Sequence, residues 1–256
     1  MKITRKDFLR VSGLGLLALA GKKAVRAVAD RSIVRVASTP PPKPVRWGMA
    51  IDLQKCRKND GCERCIKACD STHNVPQFGD HAHEIKWIWK EPFNNVFPAA
   101  QTDYTRQFFG DLPVMLACNH CADPPCTGVC PVDATWRRDN GVVTIDFHRC
   151  IGCRYCMAAC PYGARSFNWQ DPRPAIATIN PDFPTRTKGV VEKCNFCEER
   201  LAKGQGPACV ESCEEKALVF GDLEQPDSEI RQLLRSRFAM RRKAELGTGP
   251  AVYYIV

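Results

Sequence analysis

The stretch CIGCRYCMAACP, from Cys150 to Pro161, determines the predicted fold of this chain. Its cysteines follow the spacing C-x₂-C-x₂-C-x₃-C-P. Cysteines at three-residue intervals let one tight loop present three sulfurs to a single cube-shaped iron–sulfur cluster, or cubane. The last step, from i to i+4, is about one helical turn and carries the fourth sulfur away. The stretch therefore predicts a loop that ligates an iron–sulfur cluster.

Three more groups of four cysteines share this ending, because every group closes with a C-x₃-C step. The spacing of the group at 150–160 is that of bacterial two-cluster ferredoxins, in which the fourth cysteine of a run ligates the other cluster. The chain has 16 cysteines and none is left over, which is enough for four [4Fe–4S] clusters. In chain order, the other groups are Cys56, Cys62, Cys65, Cys69; Cys118, Cys121, Cys126, Cys130; and Cys194, Cys197, Cys209, Cys213.

The distance along the chain predicts how the groups pair. Only 19 residues separate Cys130 from Cys150, so the second and third groups should form one ferredoxin unit. The first and fourth groups would then pair around it in a nested arrangement. A tandem arrangement, first with second and third with fourth, stays open from spacing alone. The nested ligand sets are Cys56, Cys62, Cys65 and Cys213 for cluster 1; Cys194, Cys197, Cys209 and Cys69 for cluster 2; Cys118, Cys121, Cys126 and Cys160 for cluster 3; and Cys150, Cys153, Cys156 and Cys130 for cluster 4.

Two other uses of the cysteines compete with clusters. Eight disulfides would also consume all 16 thiols, but disulfide frameworks belong to small chains that lack a core, and they do not need three cysteines in one tight loop. A structural zinc ion prefers paired cysteines in a closed tetrahedral site. The fourth group fits such a site, whereas the triple at 150–156 does not.

The first 29 residues resemble an export signal. They hold seven Lys or Arg and one acid, which is +6 of the formal net charge of +9 and leaves +3 for the other residues. A nucleic-acid-binding surface is therefore not supported. A basic start, a short apolar stretch and a small-x-small step follow one another. The segment Thr4–Leu9 is similar to the twin-arginine motif, with Lys6 in place of the second arginine. Export in the folded state would keep clusters in place, so an export signal of this type is consistent with cysteines that ligate clusters.

Composition and pattern divide the chain into six regions, and together they predict an α+β fold of two nested bacterial-ferredoxin-like units with insertions and large loop content. Strand patterns occur at 45–55, 84–90, 139–149 and 216–222. The regions are a twin-arginine-like signal peptide (1–29), a proline-rich tether (30–45), the first cysteine group with an aromatic insertion (46–117), an inner ferredoxin unit (118–170), the fourth group completing an outer ferredoxin unit with 46–69 (171–223), and a C-terminal helix and strand (224–256).

Residues other than the cysteines carry weaker signals. Stretch 70–117 is rich in aromatic residues, and we expect it, through Trp87 and Trp89, to form part of a partner interface. His120 and His148 lie next to predicted ligands and could hydrogen-bond near a cluster. The basic residues beside ligands could offset the negative charge of a cluster, or could simply be solvated. They are Arg57, Lys67, Arg149, Arg154 and Lys193.

No catalytic constellation is present: the chain has no glycine-rich phosphate loop, nucleophile elbow or paired-carboxylate signature. We therefore expect an electron-transfer subunit and not an enzyme in its own right.

The chain resembles the electron-transfer subunits of the complex iron–sulfur molybdoenzyme superfamily. Within it, the chain is most similar to the DsrO group, the exported ferredoxin-like subunits of DsrMKJOP membrane complexes of sulfur metabolism. The resemblance rests on the four cysteine groups and on the segments between them. These segments are RWGMAID (46–52), KWIWKEP (86–92), CIGCRYCMAACPYGARSFNW (150–169), TRTKGVVEKC (185–194) and the ending VYYIV (252–256).

This resemblance implies four [4Fe–4S] clusters in a nested double ferredoxin at the periplasmic or extracytoplasmic face of the membrane. It implies docking on DsrP, an NrfD-like membrane subunit that exchanges electrons with quinone, close to the cytochrome c subunit DsrJ and to the DsrMK-type subunits. An electron-transfer subunit of a molybdopterin enzyme, such as a polysulfide, tetrathionate or dimethyl sulfoxide reductase, is the alternative. A structural module without redox activity and a diffusible ferredoxin are further alternatives.

Overall fold

This computed structural model describes residues 44–59 and 61–256. The expected signal peptide (1–29) and nearly all of the expected tether (30–45) lie outside the described residues. Within the described part of the chain, no helix is both long enough and apolar enough to cross a membrane.

Short helices and strands are mixed along the described chain, which is consistent with the α+β class. The strands are β1 (Trp47–Asp52), β2 (Ile88–Pro92), β3 (Pro113–Ala117), β4 (Thr135–Arg137), β5 (Val143–Ile145), β6 (Ser166–Phe167), β7 (Val191–Glu192), β8 (Leu218–Asp222), β9 (Ala239–Met240) and β10 (Val252–Ile255). The α-helices are α1 (Leu53–Arg57), α2 (Arg64–His73), α3 (Phe93–Val96), α4 (Asp103–Phe109), α5 (Pro125–Gly128), α6 (Tyr155–Ala159), α7 (Glu198–Leu201), α8 (Ala208–Glu211) and α9 (Glu229–Ser236).

A four-stranded sheet in the order β8-β1-β10-β9 joins the two ends of the described chain. Strand β1 is buried on both faces after its first residue, which suits a central strand. It pairs antiparallel with β8 and parallel with β10. At its end, the Asp52 carboxylate accepts a hydrogen bond from the Lys55 amide at 2.9 Å and caps helix α1. This sheet therefore brings the first cysteine group close to the residues that follow the fourth group.

The remaining sheets are two-stranded antiparallel pairs: β2 with β3, β4 with β5, and β6 with β7. The β4–β5 pair lies between the second and third cysteine groups in the sequence. Thr135 on β4 donates a side-chain hydrogen bond to the Thr144 carbonyl on β5 at 2.6 Å. These small pairs hold the loops that carry cysteines, since the loops themselves have little regular structure.

Helix α9 and strand β10 lie in the region where the sequence predicts a C-terminal helix and strand. Ser228 caps α9 by accepting from the Arg231 amide at 3.4 Å, and Ile230 is fully buried. The helix ends at Ser236, and Phe238 beyond it is 71% exposed. Strand β9, which pairs with β10, follows after Arg237.

The prediction that Trp87 and Trp89 form a partner interface is wrong, because both side chains are buried in the core. Trp87 stacks on His73 with ring centroids 4.6 Å apart, and its indole N–H donates to the Glu192 carboxylate at 2.9 Å. A stretch rich in aromatic residues looks the same in the sequence whether it lies in a core or at an interface. Among the large hydrophobic side chains of this stretch, Tyr104 and Phe108 are exposed.

Candidate metal centres

The 16 cysteines, all of which are described, form no disulfide and gather at four places. We call them sites 1 to 4. Cavities are lined by the cysteines of sites 1, 3 and 4, and the thiols of site 2 interact with one another electrostatically. Site 1 contains Cys56, Cys62, Cys65 and Cys213; site 2 contains Cys69, Cys194, Cys197 and Cys209; site 3 contains Cys118, Cys121, Cys126 and Cys160; and site 4 contains Cys130, Cys150, Cys153 and Cys156.

These positions are the ones that the nested arrangement requires. The last cysteine of each group sits with three cysteines of another group. The fourth group is split, with Cys213 at site 1, so a single zinc ion held by that group does not match its geometry. Cluster ligation by these thiols stays a prediction.

Site 1 is assembled by the long-range pairing of β1 with β8. Asp52 donates its amide to the Ala217 carbonyl at 2.8 Å, where the strand turns into helix α1 with Cys56. Because β1 and β8 are antiparallel, the end of β1 meets the start of β8, just after Cys213. Lys90 lines the same cavity and contacts the Cys62 carbonyl.

Site 2 is the most deeply buried of the four, because all its cysteines are buried. Helix α2 supplies Cys69 and packs against α8, which carries Cys209. Burial raises the pKa of Cys69 far above its usual range, and the charges of Cys194, Cys209 and Cys197 raise it further. The imidazole of His73 lies between the Cys69 thiol, at 3.5 Å, and the Glu199 carboxylate, at 2.8 Å.

Sites 3 and 4 are built mainly from short loops. The four cysteines of each site line a cavity, and the two cavities are similar in size. Gly152 turns the site 4 loop with a φ of +70°, and a Cβ atom there would lie 2.3 Å from the Gly189 carbonyl oxygen. Only glycine fits this position without strain, since its φ is left-handed and the neighbouring backbone is close.

The sequence pattern Cys-x-x-x-Ala occurs at 130–134, 160–164 and 213–217, and its recurrence has a structural cause. The residue before each alanine is left-handed: Asp133 has a φ of 49°, Gly163 of 65° and Lys216 of 49°. This turn brings the next amide back to the cysteine. The amide of Ala134 donates to the Cys130 sulfur at 3.2 Å, and the amide of Ala217 donates to the Cys213 sulfur at 3.3 Å. Such N–H···S bonds stabilise the charge of a thiolate ligand.

A second repeated turn precedes the second cysteine of all four groups. Gly61, His120, Gly152 and Phe196 all have positive φ, although two of them are not glycine. Backbone strain of this kind is retained where the surroundings enforce it, and it concentrates at functional sites. The rings of His120 and Phe196 stack with centroids 3.7 Å apart, so the turns of the second and fourth groups touch.

Electrostatic interactions between cysteines link the four sites in the order 1, 2, 3 and 4. Burial, and then Cys194 and Cys197 of the same site, raise the pKa of Cys209, and Cys65 of site 1 adds to this rise. Burial and the charge of Cys118 raise the pKa of Cys194 to about 12, which joins site 2 to site 3. Burial raises the pKa of Cys156, Arg165 opposes this, and Cys126 adds to it, which joins site 3 to site 4. Thiols affect each other in this way only over short distances.

Buried positive charge surrounds sites 2 and 3. Lys193 is fully buried, and its ammonium donates to the Cys194 carbonyl at 2.7 Å and contacts the Val143 carbonyl. Arg165 is 5% exposed and donates to the Cys126 sulfur at 3.0 Å. Sequence reasoning identified Lys193 but missed Arg165. Arg165 could have been found from its position directly after the Cys160-Pro-Tyr-Gly-Ala turn.

The other predicted basic residues, Arg57, Lys67, Arg149 and Arg154, are exposed. Of the histidines, His120 is 1% exposed and accepts from the Val143 amide at 3.0 Å, whereas the side chain of His148 is 96% exposed. His73, Cys197 and Glu199 are close enough to hold a metal ion together, a set that the sequence did not reveal. Because Cys197 and Cys69 are predicted cluster ligands, we assign His73 and Glu199 to the surroundings of site 2.

The residues present fit [4Fe–4S] clusters. Each site offers four sulfurs, which are the ligands that these clusters take. Burial raises the pKa of Cys121 and of Cys197 to about 12, so these thiols would hold their protons at neutral pH without a metal. A metal cluster supplies the positive charge that makes such a thiol ionise. When bound, a [4Fe–4S] cluster accepts or gives up an electron.

Two segments, residues 112–175 and 180–223, match the family model described as a 4Fe–4S dicluster domain. They contain the second, third and fourth cysteine groups. The chain is 42% identical over 229 residues to the Hdr-like menaquinol oxidoreductase iron-sulfur subunit 1 of Archaeoglobus fulgidus, covering 82% of each chain.

Two other relatives are similar over most of their length. The menaquinone reductase iron-sulfur cluster-binding subunit of Nitratidesulfovibrio vulgaris is 38% identical over 236 residues, which cover 82% of this chain and 89% of the relative. Protein NrfC of Escherichia coli is 36% identical over 257 residues, which cover 100% of this chain and 96% of the relative.

The sites and these similarities define a class of proteins that hold [4Fe–4S] clusters and transfer electrons. The chain belongs to the family of iron–sulfur electron-transfer subunits of oxidoreductase complexes. The expectation that it is an electron-transfer subunit and not itself a catalytic subunit is confirmed.

Proposed function

We propose that the chain carries four [4Fe–4S] clusters, one at each of sites 1 to 4, which form a row along which electrons pass. The gathering of all 16 cysteines into four groups of four is the observation that carries this proposal. Under it, the nested ligand sets are those of the four sites, and the outer ferredoxin unit (46–69 with 171–223) encloses the inner unit (118–170).

Exposure of the cysteines supports an entry and an exit at the two ends of the row. All the cysteines of site 1 are partly exposed, and so are those of site 4 except Cys156, whereas all the cysteines of site 2 are buried. Large exposed side chains also adjoin both ends. Phe108, whose carbonyl accepts from Arg57, lies near site 1, and Ile151 and Tyr155 lie on the site 4 loop. Exposed apolar residues of this kind favour contact with partner proteins.

The partners that we propose are those of the DsrO-like resemblance. Electrons would pass between an NrfD-like, quinone-interacting membrane subunit of the DsrP type and partners in dissimilatory sulfur metabolism. The latter include a DsrJ-type cytochrome c and DsrMK-type subunits. The subunit would lie on the periplasmic or extracytoplasmic face, held there by its membrane partner. The menaquinol and menaquinone in the names of two relatives support a quinone-linked role for this chain.

Purification of the complex from native membranes under anaerobic conditions tests the proposal. We expect a co-purifying NrfD-like subunit and a c-type cytochrome, together with clusters that a menaquinol analogue reduces, as followed by EPR spectroscopy. Absence of any cluster signal in reduced-minus-oxidised spectra would contradict an electron-transfer role. Protease treatment of spheroplasts checks the location, because an extracytoplasmic subunit would be cleaved while the inner membrane is still sealed.

The second candidate is the electron-transfer subunit of a molybdopterin oxidoreductase. The chain is 39% identical over 219 residues to a putative dimethyl sulfoxide reductase iron-sulfur subunit of Halobacterium salinarum. It is 37% identical over 242 residues to the arsenate respiratory reductase iron-sulfur subunit of a Shewanella strain. A large molybdopterin subunit in the purified complex would favour this candidate over the sulfur-metabolism role, and its absence would count against it.

A further inference from the structure

We infer that Arg165 is a buried cation shared by sites 3 and 4, where it stabilises the reduced state of both clusters and raises both of their reduction potentials. This inference rests on the proposed function only in that sites 3 and 4 hold clusters. It assigns a tuning role to a residue that is not a ligand.

Arg165 lies between the two inner sites. Its Nη2 atom donates to the Cys126 sulfur of site 3 at 3.0 Å and to the Thr135 hydroxyl at 2.9 Å. Arg165 lines the cavity of site 3, and Thr135 lines the cavity of site 4. Burial lowers the pKa of Arg165, but Cys126, Cys156 and Cys118 raise it by more. Those thiols belong to both sites, so one guanidinium interacts with two sets of ligands.

The charge of Arg165 has no protein anion to balance it except these thiols. Among the residues that the structure describes, no Asp or Glu forms an ion pair with it. Arg186 is the contrast: it is equally buried, but it pairs with the Glu192 carboxylate at 2.6 Å. An unpaired buried charge is costly, whereas a buried charge with an anionic partner is tolerated. A thiolate-ligated cluster is such a partner, because it is negatively charged.

One donor of Arg165 is still available for a cluster. Its Nη1 atom is buried and has no hydrogen-bond partner among the residues that the structure describes. Buried donors are almost always satisfied, so an unsatisfied one indicates a missing acceptor. The planar guanidinium presents several donors in fixed directions, which lets it serve a cysteine sulfur and a second acceptor at once. A sulfur atom of a cluster is an acceptor of the right charge.

Thr135 holds the guanidinium in place. Its hydroxyl accepts from Arg165 and donates to the Thr144 carbonyl across the β4–β5 pair at 2.6 Å. The cation is therefore anchored on a hairpin between the second and third cysteine groups, and little movement is needed when a cluster changes charge. We regard Arg165 as a positioning and tuning residue and not as a catalytic one.

The electrostatic consequence has a definite sign. Reduction adds one electron to a cluster, breaks no bond and increases its negative charge. A fixed cation stabilises the more negative state, so removing it makes reduction less favourable at both sites. Arg165 contacts Cys126 directly, and we therefore expect the larger effect at site 3. The expected loss is about tenfold in the reduction equilibrium constant, which is about 59 mV for a one-electron couple, and severalfold at site 4.

The test is an EPR-monitored redox titration of the intact complex carrying Arg165→Met or Arg165→Lys. Arg154→Gln is the matched control, because Arg154 lines the site 4 cavity but is exposed and lies over the Trp169 ring at 4.7 Å. We expect Arg165→Met to lower both inner potentials, Arg165→Lys to restore most of each shift, and Arg154→Gln to change either equilibrium constant by less than about twofold, since solvent screens its charge.

Unchanged potentials in Arg165→Met, a shift confined to one cluster, or an equal shift in Arg154→Gln would overturn the inference. If Arg165→Met loses the inner clusters, Arg165→Lys tests whether the positive charge is what matters. Clusters regained with nearly normal potentials support the role of charge, and a lysine variant that also lacks them contradicts it. Iron analysis of the unaltered complex separates the two proposals: without inner clusters both fail, whereas a different set of partners would refute only the proposed function.

Discussion

Sites 1 and 2 differ from sites 3 and 4 in how the chain brings their cysteines together. The inner sites use short loops, and their turns are encoded by local spacing and by residues such as Gly152. The outer sites depend on contacts between residues far apart in the sequence: β1 with β8 at site 1, and α2 with α8 at site 2. We infer that the inner pair is a local folding unit, whereas the outer pair forms only when the ends of the chain are joined.

The outer and inner sites also differ in the charged residues beside them. Site 1 has the partly exposed Lys90, and site 2 has His73, the Glu199 carboxylate and the fully buried Lys193. The inner sites share the buried Arg165. A buried charge acts at higher effective strength than an exposed one, because solvent does not screen it. The same change of charge should therefore matter more in the inner half than at site 1.

Cys213→Ser should have the largest effect, because it removes a ligand that only the long-range arrangement brings to site 1. We expect loss of one cluster, or about four iron atoms per chain, with the EPR signals of sites 3 and 4 retained. Ser212→Ala is the control, since it changes the neighbouring side chain without touching a sulfur. Damage to the cluster held by Cys150, Cys153 and Cys156 would contradict the nested arrangement and support the tandem one.

Glu192→Gln should have the next largest effect, because it removes the carboxylate that pairs with the buried Arg186. Glu192 on β7 accepts from Trp87 and pairs with Arg186, which also donates to the Asn74 carbonyl at 2.7 Å at the end of α2. Because the variant leaves the Arg186 charge buried and unpaired, we expect a loss of roughly 3–5 kcal/mol in the free energy of unfolding. Chemical denaturation of the cluster-loaded protein measures it.

The matched control for that variant is the double change Arg186→Met with Glu192→Gln, which removes both charges. It should be less destabilised than the single change, because no isolated charge stays buried. A double variant that loses more stability than Glu192→Gln alone would show that the pair matters through shape and not through charge.

Gly152→Ala should disturb site 4 more than site 3 and so distinguish the two inner sites. The left-handed backbone by itself costs a non-glycine residue about 1–3 kcal/mol, and the close Gly189 carbonyl adds to this. We expect lower cluster occupancy at site 4 by EPR, with site 3 less affected. Gly128→Ala is the control: its φ is not positive and its Cβ would meet open space, so it should be neutral or slightly stabilising.

Arg64→Gln should have the smallest effect. Arg64 lines the site 1 cavity and pairs with Glu214, but both side chains are well exposed, at 46% and 69%. Exposed ion pairs contribute about 0–1 kcal/mol, so stability and the site 1 potential should hardly change. A potential shift at site 1 as large as that expected for Arg165→Met would contradict the contrast between exposed and buried charge.

Sequence reasoning predicted the parts that depend on local order. The cysteine spacing, the strand after Cys213 and the final strand at 252–255 are visible because each is a short pattern. The turn that brings Ala134 back to Cys130 was not predicted, since the left-handed residue before the alanine is Asp133 here but Gly163 and Lys216 in the related turns. Burial of the 70–117 tryptophans was not predictable, because aromatic residues favour a core and an interface equally.

The surroundings of the sites were the least predictable part. Lys193 and Arg165 are strongly polar side chains, which are expected at the surface unless something anionic holds them inside. They are buried because several loops pack around the cysteines, and no periodic pattern in the sequence indicates this burial. Likewise, the stacking of His120 on Phe196 joins two turns that lie far apart in sequence and that become neighbours only when the groups are nested.

Iron anomalous scattering from crystals of the anaerobically prepared protein tests the central claim most directly. Four separate [4Fe–4S] clusters should appear in a row, one at each of sites 1 to 4. Cys213 should lie beside Cys56, and Cys69 beside Cys209. Fewer cubanes, iron ligated by four cysteines of one consecutive group, or metal other than iron at any of these positions would contradict the account.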